Sequence, residues 1–520
     1  MSGVLGILSF PIFGRPYQLD LLIFLVLVPL LLAAQGVGKK RGALLGGICG
    51  MTFVGISFSW VWHAINEFTA MGLVLSLLVY LLWVLYEAVP WVLMGLALGR
   101  CRSSLQVLLV LPLWIGLEHY YPRLWPWHLG GALYERTWFL QCVDILGASG
   151  LTALVFLTSA TAAGIVGWRR STEGFPRWRL ATSGVLLLAC CVYGPSRLDS
   201  IQTRLAEGEG DRIEVGFIQG FVQPGERRQG PDEEARDYYL RLRKLLQVYV
   251  EKTSELLELE KSSPVDLVLW PEGANPIQLA LGKGGDPWRS PLFTRPGGGK
   301  MVRDDFRIPM VIGGFGEGNY NISIYQQENG AGGIYKKNHP VPFGEWVPGL
   351  DLLPGSWRDA LPGIGNLSLG EDNPLMALGE HKFRNLICYE AVLPEYVRQS
   401  ALGSDFLVNL TEDYWYGNTA HIPQHLSVFI LRAVESRVPV LRCTNVGPSG
   451  IVDIAGEFHG GRAIWEADSF TESFIPGSVP SSYSRWGHWF PLLCLLLGVL
   501  LLGFARRGRP SSMSPETPEG

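Results

Sequence analysis

Three apolar, strand-like runs in this sequence each end in a residue that can do chemistry. VDLVLW leads into Pro271 and Glu272, GAGGIYKKNH carries Lys336 and Lys337, and FRNLI leads into Cys388, Tyr389 and Glu390. A free thiol, with a pKa of ~8.5, is mostly protonated at neutral pH and needs a base or a nearby cation to act as a nucleophile. Glu272 would take the thiol proton as Cys388 attacks a carbonyl, and would then return a proton to the leaving group. A protonated lysine would hold the negative oxygen of the tetrahedral intermediate. Each residue alone also has a plainer reading, as a buried cysteine, a turn glutamate after proline, or a solvated pair of lysines.

The elements that must bring these residues together lie between about 200 and 488. Strand-like runs (IEVGFIQG, VDLVLW, IPMVIGGF, NLICYE, DFLVNL, VPVLRCTN) alternate there with helical stretches at 232–261 and 422–436. That alternation predicts an α/β domain, and reactive residues at strand ends converge at one sheet edge. A glycine-rich insert at 282–300 reads as a surface loop. Of eight cysteines only Cys388 and Cys443 fall in this stretch. A disulfide framework is therefore not expected, and the Cys/His spacing of a zinc site is missing. No metal and no cofactor is expected, and Cys443, inside a strand-like run, reads as structural.

The rest of the chain speaks of a second solvent. Of 520 residues 48% are hydrophobic and 17% charged, against about 25% charged in soluble domains. Apolar spans fall near 3–14, 18–35, 43–62, 72–98, 105–121, 147–168, 180–195 and 489–504, most of them approaching the ~20 residues of a bilayer-crossing helix. Basic clusters follow every second span: Lys39, Lys40 and Arg41; Arg100 and Arg102; Arg169, Arg170, Arg177 and Arg179; and Arg506, Arg507 and Arg509. Placing basic loops in the cytoplasm puts both termini there and the α/β stretch outside. A net charge of −4 gives no reason to expect nucleic acid. Glu87 and Glu118 are the notable acids within spans; a polar transport path is the lesser reading of them, a structural role the stronger.

The motifs themselves resemble a known family. LWPEGANP, YKKNHPVPFGEWVP and LICYE look like the glutamate, lysine and cysteine motifs of the nitrilase superfamily, with VGFIQGFVQP similar to its opening strand. VPFGE, ICYE and the membrane stretch PWHLGGALYERTWFLQCVDILGASGLT resemble the apolipoprotein N-acyltransferase family within it. The resemblance implies a multi-span α-helical membrane domain (1–199), an α/β nitrilase-like αββα sandwich (200–487), a closing transmembrane helix (488–506) and a disordered cytoplasmic tail (507–520).

It further implies a catalytic Glu272, Lys337 and Cys388, the lysine being the one eight residues before Glu345. Lys336, one step along the strand, would face away. Glu345, Tyr389 and Glu390 carry over as supports of the site, and Trp415 and Tyr416 as contacts for lipid or acyl chain. The implied reaction takes an acyl chain from a membrane phospholipid, through a thioester, to the N-terminal amine of S-diacylglyceryl-cysteine in an apolipoprotein. The implied setting is a bacterial inner membrane, with the catalytic domain on the periplasmic side and the enzyme a monomer.

Phe221, Pro340, Ile322, Glu412 and Tyr414 depart from the family pattern; the last two alter a stretch that more often reads Asn-Asp-Ala. Two rival functions remain: a membrane-tethered amidase acting on small amides, and a non-catalytic binding module.

Overall fold

Alternation within the strands builds two facing sheets. In β1 (Ile213–Gln219), Ile213, Val215 and Phe217 point one way, and in β2 (Leu267–Leu279) Leu267 and Leu269 join them. Val268 and Trp270 point the other way, onto the amphipathic helix Ala235–Leu259 through Leu242, Leu246 and Tyr249. Successive strand residues face opposite sides, so each strand is buried on both faces, as a sandwich covered by helices requires. The structure is a computed structural model that describes residues 1–507 apart from 12–18, 70–71, 169–174, 176, 260–263, 280–305, 328–331, 348, 350–366 and 462–463. The insert at 282–300, Arg169, Arg170, Arg509 and the tail from 508 lie outside the described residues.

The first sheet also contains β3 (Met310–Gly316), β4 (Tyr320–Gln326) and β5 (Gly333–Lys336). The second contains β6 (Met376–Leu378), β7 (His381–Ile387), β8 (Phe406–Thr411), β9 (Val440–Thr444), β10 (Ser449–Val452) and β11 (Phe458–Gly461). β12 (Asp468–Phe474) returns to pair antiparallel with β1, so the orders are β12-β1-β2-β3-β4-β5 and β11-β10-β9-β8-β7-β6. Phe383, Phe406, Val408, Leu410, Leu441 and Cys443 of the second sheet close the core against the first. Helices Pro394–Ala401 and His421–Ser436 cover its outer face. The expected αββα sandwich is borne out.

The described residues before β1 are mostly helical and carry apolar side chains outward. Val74, Leu82 and Leu188 are 72%, 65% and 63% exposed, a surface that suits lipid rather than water. Among the described residues, by length and composition, three helices, Leu73–Leu98, Ala148–Gly167 and Arg177–Glu207, can cross a membrane, or four if Lys39–Ser57 and Trp60–Glu67, bent by 59°, form one broken span. Shorter apolar helices occupy Asp20–Ala34, Leu105–Tyr120, Thr137–Leu146 and Trp489–Leu501. The helix Arg177–Glu207 does not stop near 195; it runs through Pro195 to within a few residues of β1.

Two helices here touch backbone to backbone. A Cβ on Gly46 would lie 2.1 Å from the Trp91 carbonyl oxygen, and one on Gly95 would lie 2.2 Å from that of Gly42. Gly42 and Gly46 thus face Gly95 and Gly99 as paired small-xxx-small steps, the pattern that lets helices approach closely in lipid. The intramembrane acids are engaged structurally: Glu87 lies 3.5 Å from the buried Arg123, and Glu118 accepts the Leu129 N–H at 2.9 Å.

Candidate active site

Glu272 sits where β2 stops being regular. Pro271 supplies no N–H to the ladder, the register with β3 shifts between Trp270 and Asn275, and Gly273 follows with φ of +66°. Gly313 on β3 makes room for this bulge, since a Cβ there would lie 2.3 Å from the Pro271 oxygen. The irregularity swings the Glu272 carboxylate into the gap between the sheets' ends, a use bulges commonly serve.

Lys337 arrives from the residue after β5, its N–H donating to the Asn321 carbonyl at 2.9 Å. Its ammonium is 3.2 Å from Glu272 Oε1 and 2.7 Å from Glu345, and its side chain is 1% exposed. Lys336 points away, with Nζ 4.2 Å from the centre of the Tyr320 ring. Cys388 follows β7 with φ of +49°, a left-handed backbone that L-residues adopt at a cost. Asn409 on the neighbouring strand β8 donates to the Cys388 carbonyl at 3.3 Å and helps hold this turn.

The charges form one coupled set. Burial raises Cys388 well above an ordinary thiol, Glu272 raises it further, and Lys337 acts against them. Burial also raises Glu272, with Lys337 pulling it back and Glu345 pushing it up. Burial opposes the charge on Lys337, but Glu272, Glu345 and Cys388 more than offset that and hold the ammonium above the ordinary lysine range. The resting site is therefore a protonated thiol beside a strengthened base and a fixed cation. Burial raises both partners of the transfer, the thiol and the carboxylate, while the Lys337 charge pulls both down.

The supporting residues divide between tasks. Glu345 also accepts the Val341 N–H at 2.7 Å, tying the lysine to its own loop. Glu390 is buried beneath Cys388, where it accepts from the Tyr335 hydroxyl at 2.6 Å and from the N–H groups of Ile387, Asn338 and His339 at 2.7, 2.7 and 3.0 Å. It therefore splices the cysteine turn to the lysine loop. Tyr389 reaches the other way, its hydroxyl donating to the Leu124 carbonyl at 2.6 Å. Tyr416 is buried, stacks on His421 at 3.6 Å and meets Trp60 edge-on at 5.3 Å. Trp415 is partly buried, with the Arg228 guanidinium 5.6 Å from its ring centre. Tyr389 and Tyr416 thus pin the site to the apolar N-terminal helices. A narrow cleft lies nearby between the helical half and the helix His421–Ser436, lined by Phe10, Phe58, Trp127 and Leu431 together with Gln424 and Arg432.

Several residues around the site carry no sequence signal strong enough to single them out. Asn321 Nδ2 donates to Glu272 Oε1 at 2.6 Å, and the Glu412 N–H donates to Oε2 at 2.9 Å. Asp413 Oδ1 lies 2.9 Å from His425 Nδ1 and 3.6 Å from His421 Nε2. Ligand atoms of these three come within 4.8 Å of one another, but the Arg442 guanidinium holds the other Asp413 oxygen. Its buried positive charge competes with any cation, so the group reads as a brace rather than a metal centre. Phe221 has φ of +54°, a conformation that the asparagine common in the family adopts more readily.

Residues 2–161 match the family described as apolipoprotein N-acyltransferase N-terminal domain, and residues 244–471 match carbon-nitrogen hydrolase. A relative named apolipoprotein N-acyltransferase from Geobacter metallireducens is 28% identical over 98% of this chain and 94% of its own. One of the same name from Azotobacter vinelandii is 29% identical over 97% of this chain and 95% of its own. Among solved structures, a branch 10 member of the nitrilase superfamily from Saccharomyces cerevisiae has 20% identity and a TM-score of 0.35, covering 51% of this chain and 91% of that one. That N-terminal domain and a carbon-nitrogen hydrolase domain are matched in one chain, and relatives named apolipoprotein N-acyltransferase are similar to it nearly end to end.

Proposed function

We propose that the protein transfers a fatty acyl chain from a membrane phospholipid to the N-terminal amine of S-diacylglyceryl-cysteine in an apolipoprotein, with Glu272, Lys337 and Cys388 as its catalytic residues. Glu272 takes the Cys388 proton as the sulfur attacks the ester carbonyl, and the oxyanion develops against the Lys337 ammonium. Collapse breaks the ester C–O bond, and Glu272 returns its proton to the departing lysophospholipid oxygen. The acceptor amine then attacks the thioester. Glu272 takes the proton that the nitrogen sheds and passes it back to the thiolate as the amide forms. Glu345 orients the lysine, Glu390 and Tyr389 hold the cysteine turn, and Tyr416 and Trp415 border the acyl path.

The observation that carries this reading is the seam: the buried Cys388 turn is anchored by Tyr389 to Leu124 and flanked by Tyr416 on Trp60. A nucleophile built against apolar helices suits a donor held in lipid, and shielding from water protects a thioester from hydrolysis. We further assign residues 1–199 and 488–506 to an inner membrane, with 200–487 on its periplasmic side, both termini cytoplasmic and the enzyme working as a monomer. The test is to incubate the purified protein with a phospholipid tagged on its acyl chain. A hydroxylamine-sensitive adduct on the Cys388 peptide, absent in Cys388→Ala and discharged by a diacylated lipopeptide, is expected. An adduct that persists in Cys388→Ala, or none at all, overturns the reading, and ammonia release from small amides favours the amidase.

A further inference from the structure

Behind Glu272, on the side away from Lys337, lies a second carboxylate and a second cation. Arg227, from the short helix Pro224–Arg227 that follows β1, is buried and donates through Nη2 to Glu412 Oε2 at 2.8 Å. It also donates to the Val222 carbonyl at 3.3 Å. Its Nη1 would lie 2.6 Å from a Cβ on Gly273, so the guanidinium packs directly against the backbone next to Glu272. Glu412 itself is 3% exposed and fully engaged. Asn445 Nδ2 approaches its two oxygens at 3.2 and 3.1 Å, and the Tyr414 N–H donates to Oε1 at 3.2 Å. Asn445 is itself fixed by the Val222 N–H at 3.0 Å and the Tyr249 hydroxyl at 3.2 Å.

We propose that Glu412 is a positioning residue with two functions, holding Glu272 by its backbone N–H and cancelling the Arg227 charge behind Glu272 with its side chain. The inference rests on the reading of Glu272 as the base. A base facing Lys337 is already biased toward its ionised form, and an uncancelled guanidinium at its back would bias it further and weaken it. The groups that bear on Glu272 are Lys337 and Glu345 from the lysine loop, Cys388 from the end of β7, Tyr416 from the loop after β8, and Arg227 with Glu412. Burial opposes the Arg227 charge, and Glu412, Tyr249 and Glu272 together more than restore it; burial pushes Glu412 itself up to about 7 against the pull of Arg227. Here the acid comes with a buried arginine that neutralises it.

The test compares wild type, Glu412→Gln, Glu412→Asp and the double variant Glu412→Gln with Arg227→Gln, all as full-length protein in detergent. Two rates are followed against pH: acylation of Cys388 by the tagged phospholipid, and alkylation of Cys388 by iodoacetamide, located by mass spectrometry. Glu412→Gln is expected to move the acid limb of both profiles down by about one pH unit. The double variant, lacking both charges, is expected to return the limb to the wild-type position, and Glu412→Asp, which keeps the charge, to leave it there. A loss of packing alone would lower rates without moving the limb. An unmoved limb in Glu412→Gln, or one that the double variant does not restore, overturns the inference. If alkylation follows the expected pattern while no variant is acylated by lipid, the charge pairing stands and the proposed acyl donor falls.

Discussion

Asn321 Nδ2 donates to Glu272 Oε1 at 2.6 Å, so the carboxylate is gripped from β4 as well as from the Glu412 backbone on the opposite sheet. One oxygen is shared with Lys337 and the other is held by Glu412, which leaves the carboxylate little freedom to rotate. Fixed orientation of this kind counts because a base must meet its proton within about 3 Å.

Replacing Asn321 by Leu removes that grip while keeping side-chain size. Hydrogen bonds to charged groups contribute about 1.5–3 kcal/mol, so single-turnover formation of the Cys388 adduct is expected to slow roughly 10- to 100-fold. Rapid quench with tagged phospholipid measures it. An unchanged rate would show that the Glu412 N–H and Lys337 suffice to orient the base.

Glu390 makes stability depend on pH. Burial pushes its carboxyl up from 4.5 to about 7, despite donors from Tyr335, Ile387 and His339. Between those values the folded chain keeps a proton that the unfolded chain has lost, so stability falls as pH rises through the window. The contribution is present below 4.5 and lost above 7, with a span on the order of 3 kcal/mol. The neutral His425, which burial lowers to about 3, works in the opposite sense, so the measurement is a difference. Thermal midpoints are recorded from pH 5 to 8: the wild-type midpoint is expected to fall relative to that of Glu390→Gln up to about pH 7, and the two to run parallel above it. Curves parallel over the whole range would contradict the assignment.

The glycine contact between helices Lys39–Ser57 and Val89–Leu98 offers a test remote from the chemistry. A Cβ at Gly46 already falls 2.1 Å from a carbonyl oxygen, so Gly46→Leu must push the helix backbones away from each other. Overpacking of this kind costs about 1–3 kcal/mol. The expected readout is a lower thermal midpoint in detergent, whereas Gly72→Ala, whose site has nothing within 4 Å but has φ of +76°, costs only backbone strain.

Strand-end chemistry is legible in sequence because it is local. An apolar run sets the direction of a strand, and the next residue leaves its end; Lys337 and Cys388 follow that rule, whereas Glu272 lies inside β2, at its irregularity. Alternation also separates Lys336 from Lys337, and the structure turns their ammonium groups to different partners. Asn321, Arg227 and Asn445 are not legible. Each reaches the site across sheets or from a loop, and nothing in its own neighbourhood records the partner. Glu412 stands out only as a departure, because its meaning depends on an arginine 185 residues away. The helical half shows a similar limit: apolar runs locate helices, but breaks such as Phe58–Ser59 and the continuation through Pro195 depend on packing that no hydropathy run contains.

That continuation has a mechanical consequence. At 1.5 Å per residue the 31-residue helix Arg177–Glu207 measures about 46 Å, against a hydrocarbon layer of ~30 Å. The surplus turns project beyond the lipid and feed straight into β1, whose neighbour β2 carries Glu272. The helix is therefore one continuous rod through Pro195, long enough to hold the sandwich clear of any bilayer it crosses.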